Sequence, residues 1–208
     1  MKWEEIEYFL QKYAPFWDVL DVGCGNGRLF WELKNQKPHL ASPYKWEEKL
    51  SSSYLWIDAS EKLLEEAKSI HWNFFQLLDM RKLCRFSNDS FDNIFFIASF
   101  HHLEKIEERI QVLQNIKNLL KSWGKVFFTN WALESSINFE KYSQSKISWS
   151  ENEFWGTDFQ IKIGDFQRYY HSFTLRELEY LSREAWFEVI ENRLFETEKN
   201  FITILKSF

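Results

Sequence analysis

Residues 19–28 read Val-Leu-Asp-Val-Gly-Cys-Gly-Asn-Gly-Arg. A short apolar run carrying Asp21 breaks into glycines at alternate positions, Gly23, Gly25 and Gly27, and amphipathic sequence follows from Leu29 to Leu33. The pattern predicts a buried strand, a tight turn and a helix. Glycine serves such a turn twice: it takes backbone angles that a side chain forbids, and it lets a ligand approach bare backbone. The first N–H groups of the helix then point at whatever occupies the crevice. The plainer alternative is a tight strand-to-helix turn without a ligand. The dinucleotide fingerprint spaces its glycines G-x-G-x-x-G, whereas this one reads D-x-G-x-G-x-G. The chain has no G-x-x-x-x-G-K-[ST], which argues against a nucleoside triphosphate loop.

The chain has 208 residues, a length that fits one domain with a proper core. Its net charge is −5 and its pI about 5.6, so a generally basic nucleic-acid-binding surface is not expected, although a local patch is compatible. Cys24 and Cys84 are the only cysteines. Two cysteines give neither a disulfide framework nor a zinc cluster, so no metal and a cytoplasmic location are expected. Met1–Leu10 is acidic and amphipathic, unlike a signal peptide, and no apolar run approaches the ~20 residues of a membrane span.

Glycine is scarce, 6 of 208 residues against about 15 at average usage, while tryptophan numbers 11. Several tryptophans stand where local chemistry asks for glycine: Trp123 and Trp186 at expected helix ends, Trp17 in a turn before the first strand, and Trp56 in Y-L-W-I-D. One reading is that some of them are UGA codons that the source organism reads as glycine. The other is an aromatic-rich protein whose helix ends and cofactor pocket are more crowded than usual.

Taken in order, Lys2–Tyr13 has helical spacing and is expected across the cofactor mouth or a sheet edge, with Pro15 ending it. Strands are predicted at Asp18–Gly23, Tyr54–Asp58, Asn73–Leu78, Phe91–Ala98 and Lys125–Trp131. Helices are predicted at Asn26–Asn35, Glu61–Ser69 and Glu104–Lys121. Gln36–Ser53, with Pro38, Pro43 and a serine run, reads as a lengthened loop holding a short helix at Lys45–Leu50. Residues 132–172 read as a substrate-side insertion, its first part without simple period. Thr174-Leu175-Arg176-Glu177 is a capping box opening a helix to Ala185, and Phe187–Phe195 with Asn200–Leu205 form a terminal hairpin. The whole, residues 1–208, is expected to be a single α/β domain with no repeats.

An acidic residue ending a second strand holds a ribose in this fold class, and Asp58, followed by Ala59, fits that role. Ala98 and Ser99 lie at the carboxyl end of the fourth strand, where ligands sit in open α/β sheets.

The segment D-V-G-C-G-N-G resembles motif I of the class I S-adenosylmethionine-dependent methyltransferases. Asp58, Asp79, the F-D-N-I-F-F-I-A-S-F-H-H run and L-L-K-S-W-G-K-V-F-F-T-N-W-A are similar to that family's motifs in their order. The resemblance implies a Rossmann-like fold, with a seven-stranded, mostly parallel sheet and helices on both faces. It implies S-adenosylmethionine held by Asp21, Gly23, Cys24, Gly25, Asn26 and Gly27, with Asp79 accepting from the adenine amino group and the Met80 N–H donating to the ring. A narrower resemblance, carried by I-A-S-F-H-H-L-E-K-I-E-E-R, N-W-A-L-E and R-Y-Y-H-S-F-T-L-R-E-L-E, is to the tRNA wobble-uridine carboxymethyl methyltransferases. It implies methyl esterification of 5-carboxymethyluridine in tRNA and, as in eukaryotic members, a small zinc-binding partner subunit. Trp56 and Ser122-Trp123 depart from the pattern, which has glycine and Pro-Gly there.

A carboxylate acceptor is ionised at pH 7 and needs alignment rather than a base. Arg168 suits it as a planar donor fork. In an extended segment Arg168 and Tyr170 face one way, Tyr169 and His171 the other. The acceptor set is therefore either Arg168 with Tyr170, or His171. His102 is a candidate base for a hydroxyl or amine acceptor. Trp131 is either an acceptor-pocket wall or core. Arg28, Lys141, Lys146 and Lys162 are candidate phosphate contacts. Two rivals remain: a methyltransferase of a quinone precursor or other metabolite, and a non-catalytic cofactor-binding partner module.

Overall fold

The computed structural model describes residues 3–13, 18–35, 54–70, 75–148 and 154–208. The expectations for Pro15, Trp17, the loop 36–53 with its helix, and the start of the third strand lie outside the described residues.

The helices are α1 (Glu4–Tyr13), α2 (Arg28–Asn35), α3 (Glu61–Ile70), α4 (Ile106–Leu119), α5 (Ser136–Tyr142) and α6 (Leu175–Glu184). The main-sheet strands are β1 (Val19–Val22), β2 (Tyr54–Asp58), β3 (Phe75–Leu77), β4 (Phe91–Ile97), β5 (Leu120–Trp131), β8 (Glu188–Leu194) and β9 (Asn200–Lys206). A separate two-stranded ribbon is formed by β6 (Thr157–Ile163) and β7 (Phe166–Ser172). The seven-stranded sheet has the order β3-β2-β1-β4-β5-β9-β8. Strands β1 to β5 pair in parallel, and β9 runs antiparallel to both β5 and β8. The order reverses between β1 and β4, and that switch point opens a crevice at the carboxyl ends of the strands.

The central strands are buried on both faces, which is why β4 is an almost unbroken apolar run. Phe95 stacks on Phe127 (4.7 Å, 15°) on one face, and Phe96 on Phe128 (4.8 Å, 13°) on the other. Ile6, Phe9, Leu29 and Leu64 of α1, α2 and α3 cover the first face. Val112, Leu113, Ile116, Leu178 and Leu181 of α4 and α6 cover the second. Helix α1 thus packs on the sheet: Phe9 lies against Phe127, and the Tyr8 hydroxyl donates to Glu191 of β8 at 2.7 Å.

Three expectations are corrected. Helix α4 ends at Leu119 and β5 begins directly at Leu120, earlier than expected, with the β4–β5 register shifting between Phe91 and Asn93. The capping box is half built: Thr174 Oγ1 accepts from the Glu177 N–H at 3.0 Å, but the Glu177 carboxylate turns to buried partners instead of back to the cap. The region without period contains α5 and β6, whose partner β7 is reached through a turn at Gly164 (φ 62°).

Trp123 (φ 67°) and Trp186 (φ 60°) both occupy the left-handed region that favours glycine, and both are exposed. Trp186 stands at the glycine position of a Schellman ending: its N–H donates to the Arg183 carbonyl (2.9 Å), and the Phe187 N–H to that of Ser182 (3.0 Å). Trp56 differs. It sits inside β2, buried against Tyr54, Phe30 and Phe75, and does not crowd the crevice.

Candidate active site

The crevice between β1 and β4 is a cleft of about 640 Å³. Asp21, Gly23, Cys24 and Gly25 from the glycine turn, Asp58 and Ala59 after β2, Asp79 and Met80 after β3, and Ala98 and Ser99 after β4 all line it. Asn26 and Gly27 do not: Asn26 is exposed, and the Gly27 N–H closes the turn on the Cys24 carbonyl at 3.0 Å.

The turn is packed so that only glycine fits at position 23. A Cβ there would stand 2.4 Å from the Ser99 Cβ, and Ser99 Oγ donates to the Val22 carbonyl at 2.6 Å. At Gly25 (φ 57°) a Cβ would meet nothing, so bare backbone faces the cleft. The Asp58 carboxylate secures this turn to its own, accepting from the N–H groups of Gly25 (2.8 Å) and Ser60 (2.7 Å). Ala98 (φ 52°) is another left-handed residue, held by its N–H to Thr129 Oγ1 at 2.9 Å. Cys24 is buried, and burial pushes its thiol up, which leaves it a filler.

Asp21 is the telling residue. It is buried, yet among the described residues neither carboxylate oxygen has a hydrogen-bond partner. Burial, helped by the nearby Asp58 charge, raises its pKa to about 8. An orphaned buried carboxylate aimed at an open cleft calls for a cationic ligand group. The ammonium of S-adenosylmethionine's methionyl end is such a group, so these residues fit that cofactor. Asp79 is already engaged: it accepts from the Arg81 N–H (2.9 Å) and Arg81 Nε (3.0 Å), and Arg81 holds it below the usual carboxylate range.

On the acceptor side, Arg168 is exposed and lines the cleft with His102. Tyr170 shares its strand face but is buried, stacked on Trp131 (4.9 Å, 13°) and beside His102 (4.6 Å). Neither Tyr170 nor Trp131 lines the cleft: both pack with Leu133, Phe159 and Ile161 in a small buried cluster behind the ribbon, so Trp131 is core and Tyr170 backs the site instead of entering it. His171 points the other way, to Asp158 (2.7 Å) and Glu177 (2.9 Å), and does not reach the cleft. Of the candidate phosphate contacts, Arg28 stacks on Trp3 at 4.3 Å, Lys141 lies over Tyr142, Lys146 pairs with Glu134 (2.7 Å), and Lys162 is exposed on the ribbon. Sequence reasoning missed Arg81, Lys105 and Glu108, which also line the cleft. They lie in a 3-10 turn and at the start of α4, where side-chain direction has no sequence signal.

The fold and this site define an S-adenosylmethionine-dependent methyltransferase. A profile described as "Methyltransferase domain" matches residues 20–126, and the chain belongs to that family. It is 27% identical over 207 residues to the Schizosaccharomyces pombe tRNA (carboxymethyluridine(34)-5-O)-methyltransferase, covering 91% of this chain and 82% of that one. The like-named Saccharomyces cerevisiae protein is 26% identical over 143 residues, covering 68% of this chain and 45% of its own length. A Bacteroides fragilis SAM-dependent methyltransferase in complex with S-adenosylhomocysteine superposes with a TM-score of 0.67 at 16% identity, covering all of this chain and 78% of that one. The structure of a Haloferax volcanii Trm112 methyltransferase activator with a methyltransferase gives 0.68 at 15% identity, covering 99% and 89%. Among the described residues, no helix is long and apolar enough to cross a membrane.

Proposed function

We propose that this enzyme methyl-esterifies 5-carboxymethyluridine at the wobble position of tRNA, together with a small activating subunit. The observation that carries the reading is Arg168, an exposed guanidinium on the rim of the cofactor cleft, with its hydrophobic strand neighbour Tyr170 walled in behind it. A donor fork there matches a carboxylate, which at pH 7 is already a nucleophile. S-adenosylmethionine supplies an electrophilic methyl group. Asp21 and Asp58 would hold it, Arg168 would bring the acceptor oxygen into line, and Tyr170, stacked on Trp131, backs His102. Alignment of this kind contributes ~7–11 kcal/mol. The likeness to the fission yeast enzyme supports tRNA as substrate. The net charge of −5 supports a partner, since an acidic chain gains from a second surface that meets RNA phosphates.

The test uses labelled S-adenosylmethionine and bulk tRNA from a strain whose wobble uridines stop at the carboxymethyl stage. The reading expects label in this tRNA and none in tRNA from a strain that lacks the carboxymethyl group. Equal labelling of both contradicts it, as does labelling of neither across candidate activating subunits.

A further inference from the structure

One ring nitrogen of His102 is committed and the other is open. Nδ1 lies 2.9 Å from the carbonyl oxygen of Tyr169. A carbonyl can only accept, so Nδ1 carries the hydrogen. Burial holds the imidazole below its ordinary pKa; the bond to Tyr169 opposes this, and the Arg168 cation reinforces it. The ring is therefore neutral near pH 7, and Nε2 presents a lone pair. Among the described residues Nε2 has no hydrogen-bond partner, and His102 lines the cleft. The ring is held by Tyr170 (4.6 Å, 61°) and His101 (4.6 Å, 84°), so it does not turn to offer a donor.

A fixed lone pair in the acceptor pocket must be met by a donor. The acceptor carboxylate cannot supply one and would be repelled. Resting on the wobble-uridine reading, we propose that His102 Nε2 accepts the N3–H of the target base and so selects uracil over cytosine. The edge of 5-carboxymethyluridine presents carboxylate, O4 and N3–H in order: two acceptors and then a donor. Arg168 and His102, which both line the cleft, offer the complement of donors and then an acceptor. Cytosine reverses the last two positions, with an amino donor at C4 and an unprotonated N3. It would set two lone pairs face to face and leave the Arg168 donors without O4. A site built around one hydrogen bond rejects the analogue that leaves its buried groups unpaired.

The experiment compares two synthetic anticodon stem-loops, one with 5-carboxymethyluridine and one with 5-carboxymethylcytidine at the wobble position, under the conditions that label tRNA. The wild-type enzyme is expected to show kcat/KM at least about 100-fold lower on the cytidine RNA. His102→Gln, whose amide offers either a donor or an acceptor, is expected to bring the two RNAs within about tenfold of each other. Equal use of both RNAs by the wild type overturns the proposal and leaves the wobble-uridine reading standing. Undiminished discrimination in a folded His102→Gln variant overturns the assignment to His102. Label in neither RNA overturns the wobble-uridine reading, and this proposal with it.

Discussion

Arg109 and Glu177 form a 3.0 Å ion pair with both side chains buried, 5% and 0% exposed. Arg109 also donates to the carbonyls of Leu103 and Glu104 (both 3.1 Å), and Glu177 receives the Gly156 N–H (2.8 Å) and His171 Nε2. The pair thus ties α4, α6 and the loop after β4 to the β6–β7 ribbon. His171 and Tyr169 belong to this anchored side of β7, Arg168 is left facing the cleft, and Tyr170 is buried behind it.

The two faces of β7 therefore predict opposite phenotypes. Arg168→Ala should lower kcat/KM on the order of 100-fold with an unchanged melting temperature, because the side chain is exposed and its role is alignment. His171→Ala should cost about 1–3 kcal/mol in urea denaturation, because it strips a hydrogen-bond partner from buried Glu177, which keeps its ion pair with Arg109. A stable His171→Ala protein with lost activity would reverse the assignment.

Acid should loosen the same ribbon. Burial alone would raise Asp158, yet bonds from His171 and the Tyr169 hydroxyl (2.6 Å) hold its carboxyl down at about 2. A depressed carboxylate stabilises the fold above its unfolded pKa of about 4, and that contribution is lost as pH falls toward 2. Tyr169→Phe should raise the pH midpoint of acid unfolding, followed by circular dichroism.

Asp21 should trade stability for binding. Its folded pKa of about 8 lies above the unfolded value of about 4, so the folded chain holds a proton that the unfolded chain releases. Its contribution therefore makes the ligand-free protein less stable as pH rises from about 4 to about 8. Asp21→Asn should flatten that slope and stabilise the ligand-free fold at pH 8 on the order of 1 kcal/mol. It should weaken S-adenosylmethionine more than tenfold by calorimetry. Wild-type affinity should rise with pH through about 8, since the ammonium favours the ionised carboxylate.

Trp123→Gly and Trp186→Gly should each stabilise the chain by about 1–2 kcal/mol in urea denaturation, because both positions have left-handed backbone and little side-chain burial. Mass spectrometry of the protein from its source decides whether glycine already stands there. Trp56→Gly should destabilise, since it empties a buried aromatic cluster.

The glycine turn, Asp58 and the apolar β4 announced the switch-point cleft because strand, turn and helix signals there are local. The odd placement of Trp123 and Trp186 was legible as well, and their positive φ values explain it. The period-two alternation of β7 separated Arg168 and Tyr170 from Tyr169 and His171, but the choice between the faces depended on what packs behind the ribbon. That is fixed by Arg109 and Glu177, 68 residues apart in sequence, and no local pattern links them. The turn at Gly164-Asp165 was a legible hairpin signal flanked by alternating residues; the surrounding Ser, Asn and aromatic composition hid it.

The most direct test of the central claim is the chemistry of the product. Labelled tRNA from the methyl-transfer assay is treated with mild base, and the released label is counted. A carboxylate acceptor aligned by Arg168 predicts that the label leaves as methanol, as an ester requires. Label that stays on the RNA through saponification would place the methyl group on a base or ribose and contradict the account.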